Sequence, residues 1–169
     1  NKEISAIAEE YGAYVIKRPS YLAKDDSPEW LSWQHAIKYV FENHEKFEGF
    51  ISLPPTAPLR SKEDIMKCLD KLKENADLIV TMTESKKHPA FNMVKVLNNG
   101  LLTLVENKND KFSRRQDVPK IYDLTTVAYA STANHILNSN SIWEGRVKAV
   151  EIPFERAIDI DNEIDFKFA

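Results

Sequence analysis

Cysteine and glycine are both scarce in this sequence of 169 residues. The single cysteine, Cys68, has no second thiol for an internal disulfide and no companion for a zinc site, which favours a reducing compartment, the cytoplasm. Only four glycines occur, and no two of them have the spacing of a phosphate-binding loop. A nucleotide-binding protein of this composition would therefore lack its usual first element.

Long apolar runs and a basic excess are also missing. No run approaches the roughly 18 apolar residues of a membrane-spanning helix, so we expect no membrane partner. The formal net charge of −3 lacks the basic excess of a general nucleic-acid surface, so we expect no nucleic acid. A local positive patch could still bind a small anion. The length suits one domain, residues 1–169.

Helical and strand patterns alternate in the first half of the chain. Apolar spacing predicts a helix over 3–11 that stops at Gly12, a helix over 27–45 and a third helix from Ser61. Ser27 and Ser61 are the predicted N-caps, and Asp64 forms an approximate capping box with Ser61. Short apolar runs predict strands at 13–16, 50–53 and 77–82. This order is typical of an α/β fold, a doubly wound and mostly parallel sheet with helices on both faces.

The second half is richer in strand patterns. Segments 91–97 and 101–106 flank Asn98-Asn99-Gly100 and predict a hairpin. A strand at 122–130, a short helix near 132–137, a strand at 146–152 and a helix from Asn162 follow. We predict a β-rich insertion at about 84–145, before the final strand and helix.

The segment Leu53-Pro54-Pro55-Thr56-Ala57-Pro58-Leu59-Arg60 follows a predicted strand, where ligands bind in open α/β sheets. Its prolines fix an extended backbone and hold Thr56 and Arg60 toward a ligand. A rigid connector between strand and helix is the equally acceptable alternative.

Two other segments carry charge suited to binding. Arg114 and Arg115 offer planar donors for a carboxylate or phosphate, although a solvated basic loop would look the same. In the segment 156–161, Asp159 and Asp161 lie two residues apart and project to one side of an extended chain. Two such carboxylates suit Mg²⁺. Asp161 could alternatively be the N-cap of the last helix.

Together these segments resemble the acylneuraminate (CMP-sialic acid) cytidylyltransferase family over the whole chain. Pro54–Arg60 is similar to the family's Q-P-T-S-P-L-R, and Arg115–Pro119 is similar to R-Q-x-x-P. Ile158–Asp161 with Asp165-Phe166 resembles I-D-I-D-x-x-x-D-[LF]. The loop Arg18-Pro19-x-x-Leu22-Ala23-x-Asp25 resembles the family's loop near the cytosine.

The resemblance implies a cytidylyltransferase that couples a sialic-acid-like (nonulosonic) sugar to CMP, using CTP and Mg²⁺. It also implies a homodimer formed through the insertion, and it leaves the general base unassigned. It further implies that Asp159 and Asp161 bind the metal and that the catalytic Arg115 binds the sugar carboxylate. The other implied contacts are those to the sugar at Thr56, Arg60, Gln116 and Tyr122, and those to CTP at Arg18 and Ser27.

The sequence departs from the family in three places. The family's first strand and its glycine- and lysine-containing triphosphate loop do not precede Asn1, so we expect a truncated chain that binds CTP poorly. Pro54 replaces a glutamine, and Thr125-Thr126 replaces an Asn-Gly pair, both near the sugar. These changes favour a legionaminic- or pseudaminic-type acid. A CMP-Kdo synthetase and a non-catalytic sugar-binding or scaffold remnant are the alternatives.

Overall fold

The computed structural model describes residues 2–24, 26–106, 114 and 117–169. Its helices are α1 (Lys2–Glu10), α2 (Glu29–Asn43), α3 (Lys62–Leu72), α4 (Ala133–Asn138) and α5 (Glu163–Phe168). Its strands are β1 (Gly49–Ser52), β2 (Leu78–Glu84), β3 (Val94–Val96), β4 (Leu102–Leu104), β5 (Tyr122–Thr132) and β6 (Val147–Glu151). None of the helices in these ranges has the length and apolar character required to cross a bilayer.

Four of the strands form a mixed sheet in the order β1-β5-β2-β6. β5 is antiparallel to both β1 and β2, while β6 is parallel to β2. β1, β2 and β6 therefore run in one direction, and their C-terminal ends meet at one edge, which we call the carboxyl edge. The predicted α/β class is confirmed, but an antiparallel strand lies inside a sheet that the sequence predicted to be mostly parallel.

β5 lies within the segment 84–145 that the sequence predicts to be a β-rich insertion. The structure places it between β1 and β2, where Val127, Ala128 and Ala130 are fully buried. Its apolar run was visible in the sequence, yet local pattern cannot say which sheet a strand joins. Outside the main sheet, β3 and β4 pair into a separate hairpin as predicted, with Gly100 at φ +80° in the turn.

Helices cover both faces of the main sheet. α2 and α4 pack on one face through an apolar cluster made of Trp30, Trp33, Ile37, Leu78, Val80, Tyr129, Ala133 and Ile136. α3 covers the other face, where Cys68 packs with Ile79, Ala130, Val150 and Ile152. Burial of each large apolar side chain contributes about 1.5–3 kcal/mol, so these two layers fix the strand ends that carry the predicted site.

Two local predictions were wrong. Residues 13–16 are not a strand: Ala13 and Tyr14 are exposed, and β1 pairs only with β5 among the described residues. A short apolar run becomes a strand only beside a partner. Ser27 is not the N-cap of α2, because Pro28 occupies that position and the Ser27 hydroxyl donates to the Tyr21 carbonyl oxygen at 2.8 Å.

Candidate active site

Two of the three predicted segments meet at the carboxyl edge. The segment 54–60 leaves the end of β1, and the segment 157–161 follows β6 through a short 3-10 turn, Phe154–Arg156. The Ile160 amide donates to the Thr56 carbonyl oxygen at 2.8 Å, which holds the two segments side by side. The Thr56 side chain is exposed there.

Arg60 uses its guanidinium on the backbone. Its Nε donates to the Val127 carbonyl oxygen at 2.9 Å, and Nη2 donates to the Pro54 carbonyl oxygen. Burial lowers the pKa of Arg60. These contacts bind the segment 54–60 to β5, and the sugar contact of Arg60 stays a prediction.

The two aspartates differ in their surroundings. Asp159 is half-buried, and its Oδ1 is a buried atom without a hydrogen-bond partner among the described residues. Asp161 is exposed, and its backbone amide, not its carboxylate, bonds to Asp165 Oδ2 at 3.1 Å. Asn162 is the N-cap of α5, so the alternative prediction that Asp161 is this N-cap is wrong.

This donor set fits Mg²⁺. An unpaired buried carboxylate oxygen is costly unless something binds it, and a cation would satisfy Asp159 Oδ1. No group of three or more potential metal ligands is found in the described ranges. Mg²⁺ commonly takes one or two carboxylates and completes its shell with water and substrate phosphates, so the two aspartates are sufficient.

Sequence reasoning missed Tyr129 and Glu29. Tyr129 is buried in the middle of β5, and its pKa is raised by that burial and then by the negative charges of Glu29 and Asp159. Glu29 begins α2, and its Oε1 accepts a hydrogen bond from Trp33 Nε1 at 3.1 Å. The N-terminus of α2 and Asp159 therefore both lie near Tyr129. This proximity depends on the central position of β5 in the sheet, which the sequence does not predict.

An ion pair ties the two segments together from behind. Asp64 is fully buried on α3, and its two oxygens accept from Arg156 Nε at 2.8 Å and Nη2 at 2.9 Å. The same carboxylate accepts from the Ser61 amide in the predicted capping box. The Arg156 bond is the main cause that lowers the pKa of Asp64 from 3.8 to about 2, against the opposing effect of burial.

The predicted sugar-binding residues are only partly described. Tyr122 faces Glu84 across the strands at the carboxyl edge and lines an apolar groove of about 460 Å³ with Leu124 and Trp143. Arg115 and Gln116 lie outside the described residues. A second cavity of about 430 Å³ adjoins the end of β2, and its polar lining includes Lys87, His88, Asn92 and Lys120.

The replaced pair at 125–126 has two different environments. The Thr125 hydroxyl donates to Thr81 Oγ1 at 2.8 Å inside the sheet. The Thr126 hydroxyl is buried and has no hydrogen-bond partner among the described residues. Thr126 is therefore the member of the pair that still has hydrogen-bonding capacity to offer a ligand.

The residues predicted to contact CTP lie beside α2. Arg18 Nη1 donates to Ser32 Oγ at 3.4 Å, a long bond between exposed groups. Ser27 closes its loop through the Tyr21 carbonyl, as described above, and Leu22 anchors that loop in the protein interior. Asp25 lies outside the described residues. The loop reaches the same side of the sheet as Glu29.

Comparisons with known proteins agree with this architecture. No protein-family model matches the chain. The chain is 33% identical over 168 residues to the CMP-N,N'-diacetyllegionaminic acid synthase of Campylobacter jejuni, spanning 98% of this chain and 70% of that protein. It is 31% identical over 170 residues to the post-translational flagellin modification protein B of Campylobacter coli, spanning 99% and 71%.

A solved structure shares the fold. The 4-diphosphocytidyl-2C-methyl-D-erythritol synthase of Anaerococcus prevotii aligns with a TM-score of 0.64 at 16% identity, covering 99% of this chain and 74% of that one. At that identity the match speaks for the fold alone. The sequence relatives span nearly the whole chain. The chain therefore belongs to the acylneuraminate (nonulosonic acid) cytidylyltransferase family.

Proposed function

We propose that the protein transfers CMP from CTP to the anomeric hydroxyl of a nonulosonic acid, with release of pyrophosphate. The observation that carries the proposal is the meeting of segments 54–60 and 157–161 beside the unpaired Asp159 Oδ1. Family membership supplies the reaction class, and the relative named a CMP-N,N'-diacetyllegionaminic acid synthase supports it.

In this mechanism Asp159 and Asp161 would hold Mg²⁺, which when bound supplies neutralising charge at the nucleotide phosphates. Glu29 and Asp159 both place negative charge near Tyr129, and negative charge in this region favours a cation. Thr56 and Tyr122 lie at the same edge and line the path of the sugar. Arg115 remains our choice for the sugar carboxylate, with Gln116 beside it, and Arg18 and Ser27 for the cytosine end.

The sugar that we favour is of the legionaminic or pseudaminic type. Pro54 has no side-chain donor, and its carbonyl oxygen already accepts from Arg60. Thr126 instead offers a buried, unpaired hydroxyl. A pocket that lacks the glutamine and gains a hydroxyl suits a sugar whose substituents differ from those of N-acetylneuraminate.

The assay is pyrophosphate release from CTP with Mg²⁺ and a panel of acids: legionaminic, pseudaminic, N-acetylneuraminic and Kdo. It is run on the chain joined to the first strand and triphosphate loop that the family resemblance implies. We expect turnover with a nonulosonic acid and loss of nearly all of it in Asp161→Ala, because this variant removes a proposed metal ligand. The variant should fold normally, because the Asp161 side chain is exposed and makes no fold contact among the described residues. Asp70→Asn, another exposed carboxylate, is the matched control and should be unchanged.

Other outcomes identify the alternatives. Near-normal turnover in Asp161→Ala would overturn the metal assignment. Preference for Kdo would make the protein a CMP-Kdo synthetase. If calorimetry with CTP and Mg²⁺ detects no binding and no acid is turned over, the chain is a non-catalytic sugar-binding or scaffold domain.

A homodimer and a cytoplasmic location complete the proposal. The hairpin of β3 and β4 exposes an apolar face to solvent, including Val94, Val96 and Leu102, and such faces are typical of interfaces.

Cys68 is buried, and burial raises the pKa of its thiol to about 11, so it is unsuited to disulfide exchange. A lone inert thiol is consistent with the cytoplasm.

A further inference from the structure

Two arginine–aspartate pairs with nearly the same geometry lie at opposite edges of the main sheet. Arg156 and Asp64 bond at the carboxyl edge through Nε at 2.8 Å and Nη2 at 2.9 Å. Arg146 and Asp77 bond at the other edge, before β6 and β2, through Nε at 3.0 Å and Nη2 at 2.8 Å. Such two-point pairs fix relative orientation as well as distance.

The pair at the carboxyl edge is the more deeply placed. The side chain of Asp64 is 1% exposed and that of Arg156 is 31% exposed, against 28% for Asp77 and 57% for Arg146. A buried pair is poor evidence of net stabilisation, because desolvation offsets much of the attraction. Its geometric effect is the larger consequence, since a buried aspartate with both oxygens occupied leaves little freedom to its partner.

Arg156 lies three residues before Asp159, in the turn Phe154–Arg156. Asp64 is bonded to Ser61, directly after the segment 54–60. One carboxylate therefore joins the ends of both segments of the site. The bond from the Ile160 amide to the Thr56 carbonyl oxygen joins the same two segments at a second point. Asp159 is held between the two attachments.

We propose that Arg156 and Asp64 are positioning residues that set the direction of the Asp159 carboxylate toward its cation. The inference rests on the proposed function for the identity of the cation as Mg²⁺. Neither residue touches substrate; they act through the backbone of 157–161. Mutation of residues that orient metal ligands typically lowers metal affinity by about 10–100-fold.

The first test needs no ligand. Hydrogen–deuterium exchange of the whole chain, read on peptides covering 157–161, should be faster in Arg156→Lys than in the unchanged protein, because a lysine cannot make the two-point bond. Peptides from β2 should exchange as before. Arg146→Lys breaks the matched pair at the other edge and should leave 157–161 unchanged. Equal exchange of 157–161 in both variants would overturn the positioning role.

The second test measures the cation. The measurement uses the chain joined to the family's first strand and triphosphate loop, as in the turnover assay. Mn²⁺ binding, followed by electron paramagnetic resonance with CTP present, should weaken by about tenfold or more in Arg156→Lys and stay the same in Arg146→Lys. Equal affinity in Arg156→Lys and the unchanged protein would refute the inference and leave the proposed function intact. Absence of Mn²⁺ binding in the unchanged protein would instead refute the metal site itself and, with it, the cation part of this inference.

A third variant guards against misfolding. Removing one partner alone leaves an unpaired buried charge, which is strongly destabilising. The double variant Asp64→Asn with Arg156→Gln removes both charges together. We expect it to fold and still to bind Mn²⁺ weakly with fast exchange at 157–161. A folded double variant with unchanged affinity and exchange would show that the pair does not position Asp159.

Discussion

At the scale of the residue, the sequence was most informative where chemistry depends on close spacing. Asp159 and Asp161 could be proposed as a pair because they lie two residues apart in an extended segment. Two residues that bear on the site from elsewhere in the chain, Asp64 through its bond to Arg156 and Tyr129 near Asp159, are 95 and 30 residues away from Asp159. No local pattern links positions so far apart. Arg60 illustrates the same limit, since its bonds to backbone carbonyls depend on where β5 lies.

The buried Asp64 carboxylate predicts a specific sensitivity to acid. Its pKa is about 2 in the folded protein and near 3.8 in an ordinary setting, so its ionised form stabilises the fold above about pH 4. That contribution, about 2 kcal/mol, is lost as the pH falls from about 4 toward 2. Urea unfolding of the unchanged protein should show this decline.

The control for this prediction is the neutral double variant Asp64→Asn with Arg156→Gln. Its free energy of unfolding should fall less over the same pH range, while the contribution of Asp77, present in both proteins, cancels in the comparison. Parallel pH profiles for the two proteins would contradict the assignment of this titration to Asp64.

At the scale of the element, helices were predicted better than sheet order. The capping box of Ser61 and Asp64 and the stop of α1 before Gly12, at φ +80°, follow from residue type and were confirmed. Ser27 failed as an N-cap because its hydroxyl found a tertiary partner in the Tyr21 carbonyl. Residues 13–16 failed as a strand because strand formation needs a neighbour, which a sequence pattern does not specify.

The irregular step in β5 is an element feature with a measurable energy. Pairing with β2 shifts between Ile79 and Thr81, and the fully buried Thr81 hydroxyl fills the gap. It donates toward the Thr125 carbonyl oxygen at 3.2 Å and accepts from the Ala128 amide at 3.3 Å. The irregular part of β5 includes Thr126, so the Thr81 hydroxyl helps to set the direction of that side chain.

We therefore expect Thr81→Val to lower the free energy of unfolding by about 1–3 kcal/mol, because it leaves buried backbone groups without a partner at nearly unchanged volume. Thr103→Val, in the hairpin of β3 and β4, is the control and should be within about 0.5 kcal/mol of the unchanged protein. Urea unfolding measures both. An equally small effect at Thr81 would show that the bulge does not depend on its hydroxyl.

At the scale of the whole molecule, the hairpin of β3 and β4 is one of several places where apolar side chains are exposed. The side chains of Val96, Leu102 and Val94 are 71%, 64% and 54% exposed, and they lie on one face because Val94 pairs with Leu104 and Val96 pairs with Leu102. A two-stranded hairpin is marginally stable alone and normally packs its apolar face against another surface. A second copy of the chain is the partner that the family resemblance implied.

This argument predicts the behaviour of a hairpin variant in solution. Val96→Lys with Leu102→Lys adds two charges to the apolar face and should convert a dimer to a monomer in sedimentation velocity, without loss of helix signal in circular dichroism. Ile4→Lys with Ile7→Lys on α1, where the side chains are 66% and 53% exposed, places the same charges on another apolar surface. The α1 variant should remain dimeric if the hairpin is the interface. Dissociation by the α1 variant alone would move the interface to that helix, and a monomeric unchanged protein would exclude the hairpin dimer.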